Sequence, residues 1–359
     1  MKKRLRLLLV VSAGLLGLAF AAPALGAFQP DIIVQQSSYK VGAATTAGFV
    51  IEELDTDDPI AKFTIFSPAG YSSSLTQAPG TVIGKALAFV KAGALGGTIL
   101  PLTGNVVVGN PADPTFVVPS QKCRQTANAS QAVWVLDTTL QGQSFRFLDF
   151  VNTVGPYVVQ EICLPSLTDP ANPFQAQLLV ANFTIKGVFM NAASRGGYQW
   201  AADFIPWGQT QPNPALINEW RTFVGLPSSL TFKKARSKRG QVAFSGALSI
   251  AGLNPRGVKL HLYNSKKAQP APNYSLGTAA GLFGTGGKPA STKGLKSNGK
   301  YSISHKKPKG GKRYWQMRFE NYLLVPSGGD NCEGPSPSGQ PIPCNGTSLA
   351  PLTSAAIRR

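Results

Sequence analysis

Residues 241–262 read QVAFSGALSIAGLNPRGVKLHL, and the reading of this stretch decides the fold. Gln241–Ile250 and Gly257–Leu262 are two strand-type runs. In Val258-Lys259-Leu260-His261-Leu262 apolar and polar residues alternate, the period that puts successive side chains on opposite faces of a half-buried strand. Trp315, Met317 and Phe319 repeat the pattern against Gln316, Arg318 and Glu320. Leu230–Lys234, Lys300–Ser304 and Arg313–Leu324 are further strand candidates. Asn298-Gly299 is the strongest short hairpin signal in the chain, because both residues tolerate positive φ. Thr278–Thr292, rich in Gly, Ala and Thr, reads as a loop. Pro326–Pro351, rich in Pro, Gly and Ser, reads as a tail held only by a Cys332–Cys344 bridge.

Working outward toward the N-terminus, the same texture continues. Asp31–Val41, Thr46–Leu54 and Ala61–Ser67 are strand candidates, followed by Val82–Leu95, Thr98–Val108, Gln131–Asp137, Phe145–Val151, Tyr157–Leu164, Gln177–Val188 and Tyr198–Pro206. Pro and Gly clusters punctuate them at the spacing of a sandwich or barrel. A helix fits at Ala215–Phe223. Only 14% of the residues are charged, while Gly and Pro number 38 and 28, a composition that favours short strands and turns over long helices. The expected fold is all-β: two β-sandwich domains behind a leader.

The leader is residues 1–27. Lys2, Lys3, Arg4 and Arg6 precede the apolar run Leu7–Ala22, and small residues follow at Ala22-Pro23-Ala24 and Gly26-Ala27. That order is a secretory signal peptide, cut after Ala24 or Ala27. An uncleaved anchor is the alternative, against which Pro23 and the small residues speak. The expected location is extracellular, with cell-surface association open. Four cysteines in an exported chain read as two disulfides, and the sequence-local pairing is Cys123–Cys163 with Cys332–Cys344. No cysteine has a second ligand at zinc spacing.

Charge divides the chain at Gly225-Leu226-Pro227-Ser228-Ser229. Residues 28–228 hold ten Lys and Arg against thirteen Asp and Glu, a net of −3; residues 229–359 hold twenty-one against three, a net of +18. The expected domains are therefore 28–225 and a basic 230–359. Lys233, Lys234, Arg236, Lys238 and Arg239 form one basic run, and Lys306, Lys307, Lys309, Lys312 and Arg313 another. Lys266, Lys267, Lys288, Lys293, Lys296 and Lys300 lie between them. A surface of this sign attracts polyanions, which outside the cytoplasm means cell-wall polymers, membrane headgroups or DNA. These ten run residues are the candidate polyanion contacts. A solubilising, edge-guarding role for the lysines is the competing explanation. No motif for sequence-specific nucleic-acid reading is present.

The strand sequence Phe244-Ser245-Gly246, then Gly257-Val258, then Ser297-Asn298-Gly299-Lys300-Tyr301 resembles bacterial extracellular immunoglobulin-like and carboxypeptidase-regulatory-like modules over roughly 100 residues. The resemblance implies a sandwich fold and no particular activity. Ile65–Tyr71, Pro79–Gly84 and Cys163-Leu164-Pro165 are similar to uncharacterised secreted actinobacterial proteins, a likeness that brings no catalytic residues.

Residues suited to catalysis are few. His261 and His305 have no nucleophile elbow or cysteine context, and His305 reads as part of a solvated basic loop. Asp149, Glu161, Asp203 and Glu219 are isolated carboxylates, and spacing selects no pair among them. Tyr198, Trp200 and Trp207 flank Asp203 and are candidate glycan contacts, although alternation places Trp200 and Phe204 in the core. The acidic stretch Glu52, Glu53, Asp55, Asp57 and Asp58 lacks the glycine and closing glutamate of a calcium loop, and reads as a solvated turn. No cofactor motif occurs. The expectation is a non-catalytic envelope or extracellular protein with a basic domain that contacts anionic polymers. The alternative is a carboxylate-dependent envelope hydrolase with a glycan substrate.

Overall fold

The computed structural model describes residues 28–124, 130–140, 142–266, 289–309, 311–319, 323–324 and 347–359. The proposed leader, Cys332, Cys344, Lys267 and Lys288 lie outside these residues. The fold is all-β, with one short helix, α1 (Val117–Arg124).

The first half consists of β1 (Asp31–Gln36), β2 (Ala44–Glu52), β3 (Ile60–Phe66), β4 (Ser72–Ser73), β5 (Val82–Ala92), β6 (Thr98–Gly109), β7 (Ala132–Leu140), β8 (Gln143–Val154), β9 (Tyr157–Cys163), β10 (Ala176–Met190), β11 (Gly196–Pro206) and β12 (Asn218–Leu226). Eleven of them hydrogen-bond in the order β1-β2-β10-β5-β6-β7-β8-β9-β3-β11-β12, antiparallel throughout, and β4 joins β10. The sheet folds over until its two ends meet. The Thr222 hydroxyl donates to the Ile32 carbonyl at 3.0 Å, and Asn218 Nδ2 donates to the Pro30 carbonyl at 2.9 Å. Its inner faces enclose one core, in which Phe49, Trp134, Phe183, Trp200 and Phe204 are fully buried. In Ala132-Val133-Trp134-Val135-Leu136 alternation disappears because both faces are covered. Trp134 and Leu136 point into the enclosed core, while Val133 and Val135 pack outside with Phe116, Leu148 and Phe150 beside α1. A Cys123–Cys163 disulfide ties α1 to the end of β9, with Cα atoms 5.8 Å apart.

The second half contains β13 (Ser228–Leu230), β14 (Lys233–Lys234), β15 (Gln241–Ile250), β16 (Lys259–Ser265), β17 (Ser291–Gly294), β18 (Lys300–Lys306), β19 (Tyr314–Phe319), β20 (Leu323–Leu324), β21 (Thr347–Leu349), β22 (Leu352–Thr353) and β23 (Ile357–Arg358). β13, β14 and β18 all pair with β15 in one sheet; β17, β16, β19, β22 and β23 form another. The alternating residues Phe244, Leu248, Leu260, Leu262, Trp315, Met317 and Phe319 fill the space between the sheets. Gly246 is required there: a Cβ at this position would lie 1.9 Å from the Thr231 carbonyl oxygen. Tyr301, directly opposite Gly246 in the ladder, donates its hydroxyl to that same carbonyl at 2.5 Å.

Four expectations are corrected. Ala215–Phe223 is not a helix: a 3₁₀ turn at Pro214–Leu216 leads straight into β12, whose ladder with β11 and enclosed core outweigh local helix preference. Asn298-Gly299 does form a turn, with Gly299 at φ 66° donating to the Lys296 carbonyl. It makes no hairpin, because β17 pairs with β16 and β18 with β15, so the turn carries the chain from one sheet to the other. Ser291 and Thr292, assigned to a loop, begin β17.

The tail is the fourth. Its residues 347–351 are held by sheet pairing and burial, while the proposed Cys332–Cys344 bridge lies outside the described residues. β21 runs parallel to β12, Leu349 and Ala350 are buried, and β22 and β23 pair with β19. The proposed link at 225–229 is likewise structured. Leu226 is fully buried in the first core and Ser228 already begins β13.

Candidate anion-binding surface

The two basic runs lie about 70 residues apart in sequence, and β-pairing brings them to one end of the second half. Lys233 and Lys234 form β14, opposite Ser245 and Phe244 of β15. The chain turns at Lys238–Gln241 and enters β15, where Gln241 faces Lys306 of β18. The Lys307 amide donates to the Gly240 carbonyl at 2.9 Å, so the second run begins where the first ends.

Arg359 fastens the assembly. Its backbone exchanges hydrogen bonds with Arg313 at 2.7 and 2.8 Å. Its guanidinium donates to the Ala235 and Ala243 carbonyls at 3.0 and 2.9 Å and to the Ser237 hydroxyl at 3.1 Å. A planar five-donor group suits this task, since it satisfies carbonyls at an open strand end while adding positive charge. Arg358 stands opposite Tyr314, with its guanidinium 5.8 Å from the ring centre. Neither terminal arginine was singled out in sequence, because a Pro- and Ser-rich tail gave no sign of returning to the sheet.

Lys233, Lys234, Arg236, Lys238, Arg239, Lys306, Lys307, Lys309 and Lys312 are exposed, and Arg313 is half-buried. Among the described residues from 229 onward there is no Asp or Glu, so these cations have no described carboxylate from their own half. Like charges on converging turns sum to a local field that an external polyanion relieves. Lys293 on β17, and Lys296 and Lys300 near the Gly299 turn, are at other positions and do not join this end. His305 is not a loop residue: it lies in β18, its Nδ1 is 3.1 Å from the Ser291 hydroxyl, and its ring packs 5.5 Å from Trp315.

The carboxylates of the first half are also brought together, which no sequence spacing announced. Glu161, Thr64, Asp203 and Glu219 occupy one lateral row across β9, β3, β11 and β12. Glu161 is held by Arg124 Nε at 2.7 Å and Lys62 Nζ at 3.2 Å. Arg221 contacts Glu219 at 2.8 Å and Asp203 at 3.6 Å, and all three side chains are at most 2% exposed. Desolvation, reinforced by Glu219 and offset by Arg221, pushes the Asp203 carboxyl up to about 7. Burial raises Glu219 as well, and Asp149, wholly buried, lies well above the usual carboxylate range.

The aromatic residues do not form one platform. Trp200 is fully buried against Phe49, Tyr71 and Phe189, so its assignment as a glycan contact is corrected. Tyr198 is half-buried and shares its hydroxyl with Ser194 at 2.7 Å. Trp207 lies past the other end of β11, about 30 Å along an extended strand from Tyr198. It borders a groove of about 510 Å³ between α1 and β8, together with Phe116, Phe145, Phe147 and Arg146. The acidic stretch is not a solvated turn throughout, since Glu53 and Asp57 are buried. Among the described residues no group of three or more His, Cys, Asp and Glu is arranged to hold a metal ion. No protein-family model and no curated protein matches the chain.

Proposed function

We propose that this is a non-catalytic protein of the cell envelope or extracellular space that holds anionic polymers through the basic end of its second half. The observation that carries this reading is the convergence of residues 233–239, 306–313 and 358–359 on one end without a described carboxylate among them. Export is supported by the signal-type leader and by the Cys123–Cys163 disulfide, a bond that persists in oxidising compartments. Among the described residues no helix is long and apolar enough to cross a membrane. Phosphate-bearing wall polymer or an anionic membrane surface is the ligand class, recognised by charge rather than by sequence.

The hydrolase alternative draws little from the geometry. Asp203 and Glu219 face each other, yet both are buried and joined by Arg221, an arrangement that leaves neither free to meet a sugar.

The test is co-sedimentation of the purified protein with isolated cell walls, anionic vesicles and duplex DNA across a salt series. Binding should weaken steeply with salt, because exposed charges are screened beyond about 8 Å at physiological ionic strength. Changing Lys233, Lys234, Arg236, Lys238 and Arg239 to Gln should flatten the dependence of log K on log salt, by up to about 0.9 per lost phosphate contact on duplex DNA. No binding at about 50 mM salt to any of the three would refute the reading.

A further inference from the structure

In the first half, β8 extends past the strand beside it. β7 pairs with β8 from Gln143 to Val151, but β9 pairs with it only from Leu148 to Val154. Beyond Cys163, which stands opposite Leu148, the chain turns away from β8. The Leu164 amide donates to the Ala61 carbonyl of β3 at 2.9 Å, and Pro165 has no N–H to offer. Among the described residues no strand flanks residues 143–147 on the β9 side. The phase of the ladder fixes where their backbone groups point, because alternate residues of an antiparallel strand aim both groups at the same neighbour. The two-residue turn at 155–156 makes Val154 and Tyr157 a hydrogen-bonded closing pair, so Asn152, Phe150 and Leu148 also bond toward β9. Arg146 and Ser144 continue that series and aim their N–H and C=O groups the same way. Phe145 has the opposite phase: its carbonyl accepts from Thr138 Oγ1 of β7 at 3.1 Å. Ser144 and Arg146 are exposed, and both line the groove of about 510 Å³ between β8 and α1.

We infer that this groove takes an extended acidic peptide, which adds a strand to β8 along residues 143–147. Another extended backbone presents donors and acceptors at the two-residue spacing of Ser144 and Arg146, and its hydrogen bonds supply the affinity. Its side chains then alternate between two environments. On one face they meet Phe145 and Phe147, which suit apolar residues. On the other they meet Arg146 and α1, where Val118 is 58% exposed. Charge selects the acidic residue. Of the charged side chains that line the groove, Lys122 is paired with Asp169 at 3.1 Å, which leaves Arg146. Asp137, opposite Arg146 on β7, accepts instead from the Ser144 hydroxyl at 3.2 Å, and Asp113 feels the guanidinium at longer range. A carboxylate on the added strand offers this guanidinium a charge-assisted partner. Native sheets guard open edges with lysine or proline, and residues 143–147 carry neither. The site lies in the first half and does not rest on the proposed role of the basic end.

The experiment uses the peptide acetyl-Val-Glu-Val-Thr-Val-amide, read by hydrogen–deuterium exchange of the purified protein and by fluorescence anisotropy of a labelled copy. Antiparallel to β8, its Glu and Thr stand opposite Arg146 and Ser144. Exchange in residues 143–147 should slow about threefold at about 2 mM peptide, the protection given by a Kd near 1 mM. The same peptide N-methylated at Glu and Thr loses the two donors aimed at β8 and should not bind. Replacing its Glu by Lys should weaken binding about fivefold. In Arg146→Gln protein with an unchanged circular dichroism spectrum, that preference should disappear. No protection at about 2 mM, equal binding of the methylated peptide, or a Glu preference that survives in folded Arg146→Gln protein would overturn the inference. So would a dimer in sedimentation velocity that protects residues 143–147 without peptide, since the occupant would then be a second copy of this chain.

Discussion

Replacing Arg221 with Met tests how the carboxylate row is held. Met keeps the apolar stem and removes only the charge, leaving Asp203 and Glu219 opposite each other at 1% exposure. Removing one partner of a buried ion pair costs roughly 3–5 kcal/mol, because the remaining charge is buried without compensation. Protonation sets a ceiling on that cost. Asp203 already sits near 7, so at pH 7.5 it becomes neutral for less than about 1 kcal/mol. Burial already raises Glu219 above the ordinary carboxylate value, so neutralising it at pH 7.5 costs at most about 4 kcal/mol at 1.36 per unit.

The expected loss is therefore at most about 4 kcal/mol at pH 7.5. The sign with pH follows from linkage. In the variant both carboxyls have folded pKa values above their unfolded ones, so the folded state binds more protons and stability falls as pH rises between the two. At pH 4.5 neutral carboxyls need no arginine, and the difference from the parent should shrink to about 1 kcal/mol. Urea unfolding of both proteins at pH 7.5 and 4.5, with matched m-values, measures this. Equal differences at the two pH values, or a loss under 1 kcal/mol at pH 7.5, would show that Arg221 does not neutralise the row.

Three further outcomes are expected. Changing both Cys123 and Cys163 to Ala opens a cross-link spanning 40 residues and should cost up to about 4 kcal/mol by loop entropy in urea unfolding. Gly246→Ala drives a Cβ into the Thr231 carbonyl and disturbs the Tyr301 hydrogen bond. It should cost about 1–3 kcal/mol and, by shifting Lys233 and Lys234, weaken polyanion binding in a fluorescence titration. Arg359→Ala removes three hydrogen bonds that anchor residues 235–243; polyanion affinity should fall by more than one lost charge predicts, which a comparison with Arg358→Ala decides.

The strand content was legible in the chain because inside–outside alternation is a local property. Gln241–Ile250 is a strand over the span read from its residues, and Tyr157–Leu164 and Tyr198–Pro206 differ from their strands by one or two residues. The Cys123–Cys163 bond is the sequence-local choice among the three pairings that four cysteines allow. Where local preference was the only guide, it failed. Trp220–Val224 has apolar residues at helical spacing, but the open edge of β11 supplies a ladder that a helix cannot use. Asn298-Gly299 specifies a turn, and nothing within the turn states that its two arms belong to different sheets.

Site residues divide along the same line. Net charge and the two basic runs are countable in the chain, since they depend on residue type alone. That the runs meet, that Arg359 returns to fasten them, and that Glu161, Asp203 and Glu219 share one row with Thr64 all depend on strand register. Register is set by which faces become buried across the whole sheet, because a slip of one residue would turn every side chain to the other face. Alternation already pointed Trp200 toward the core, where the closed first sheet buries it; that Trp207 borders a groove beside α1 depends on the tertiary structure.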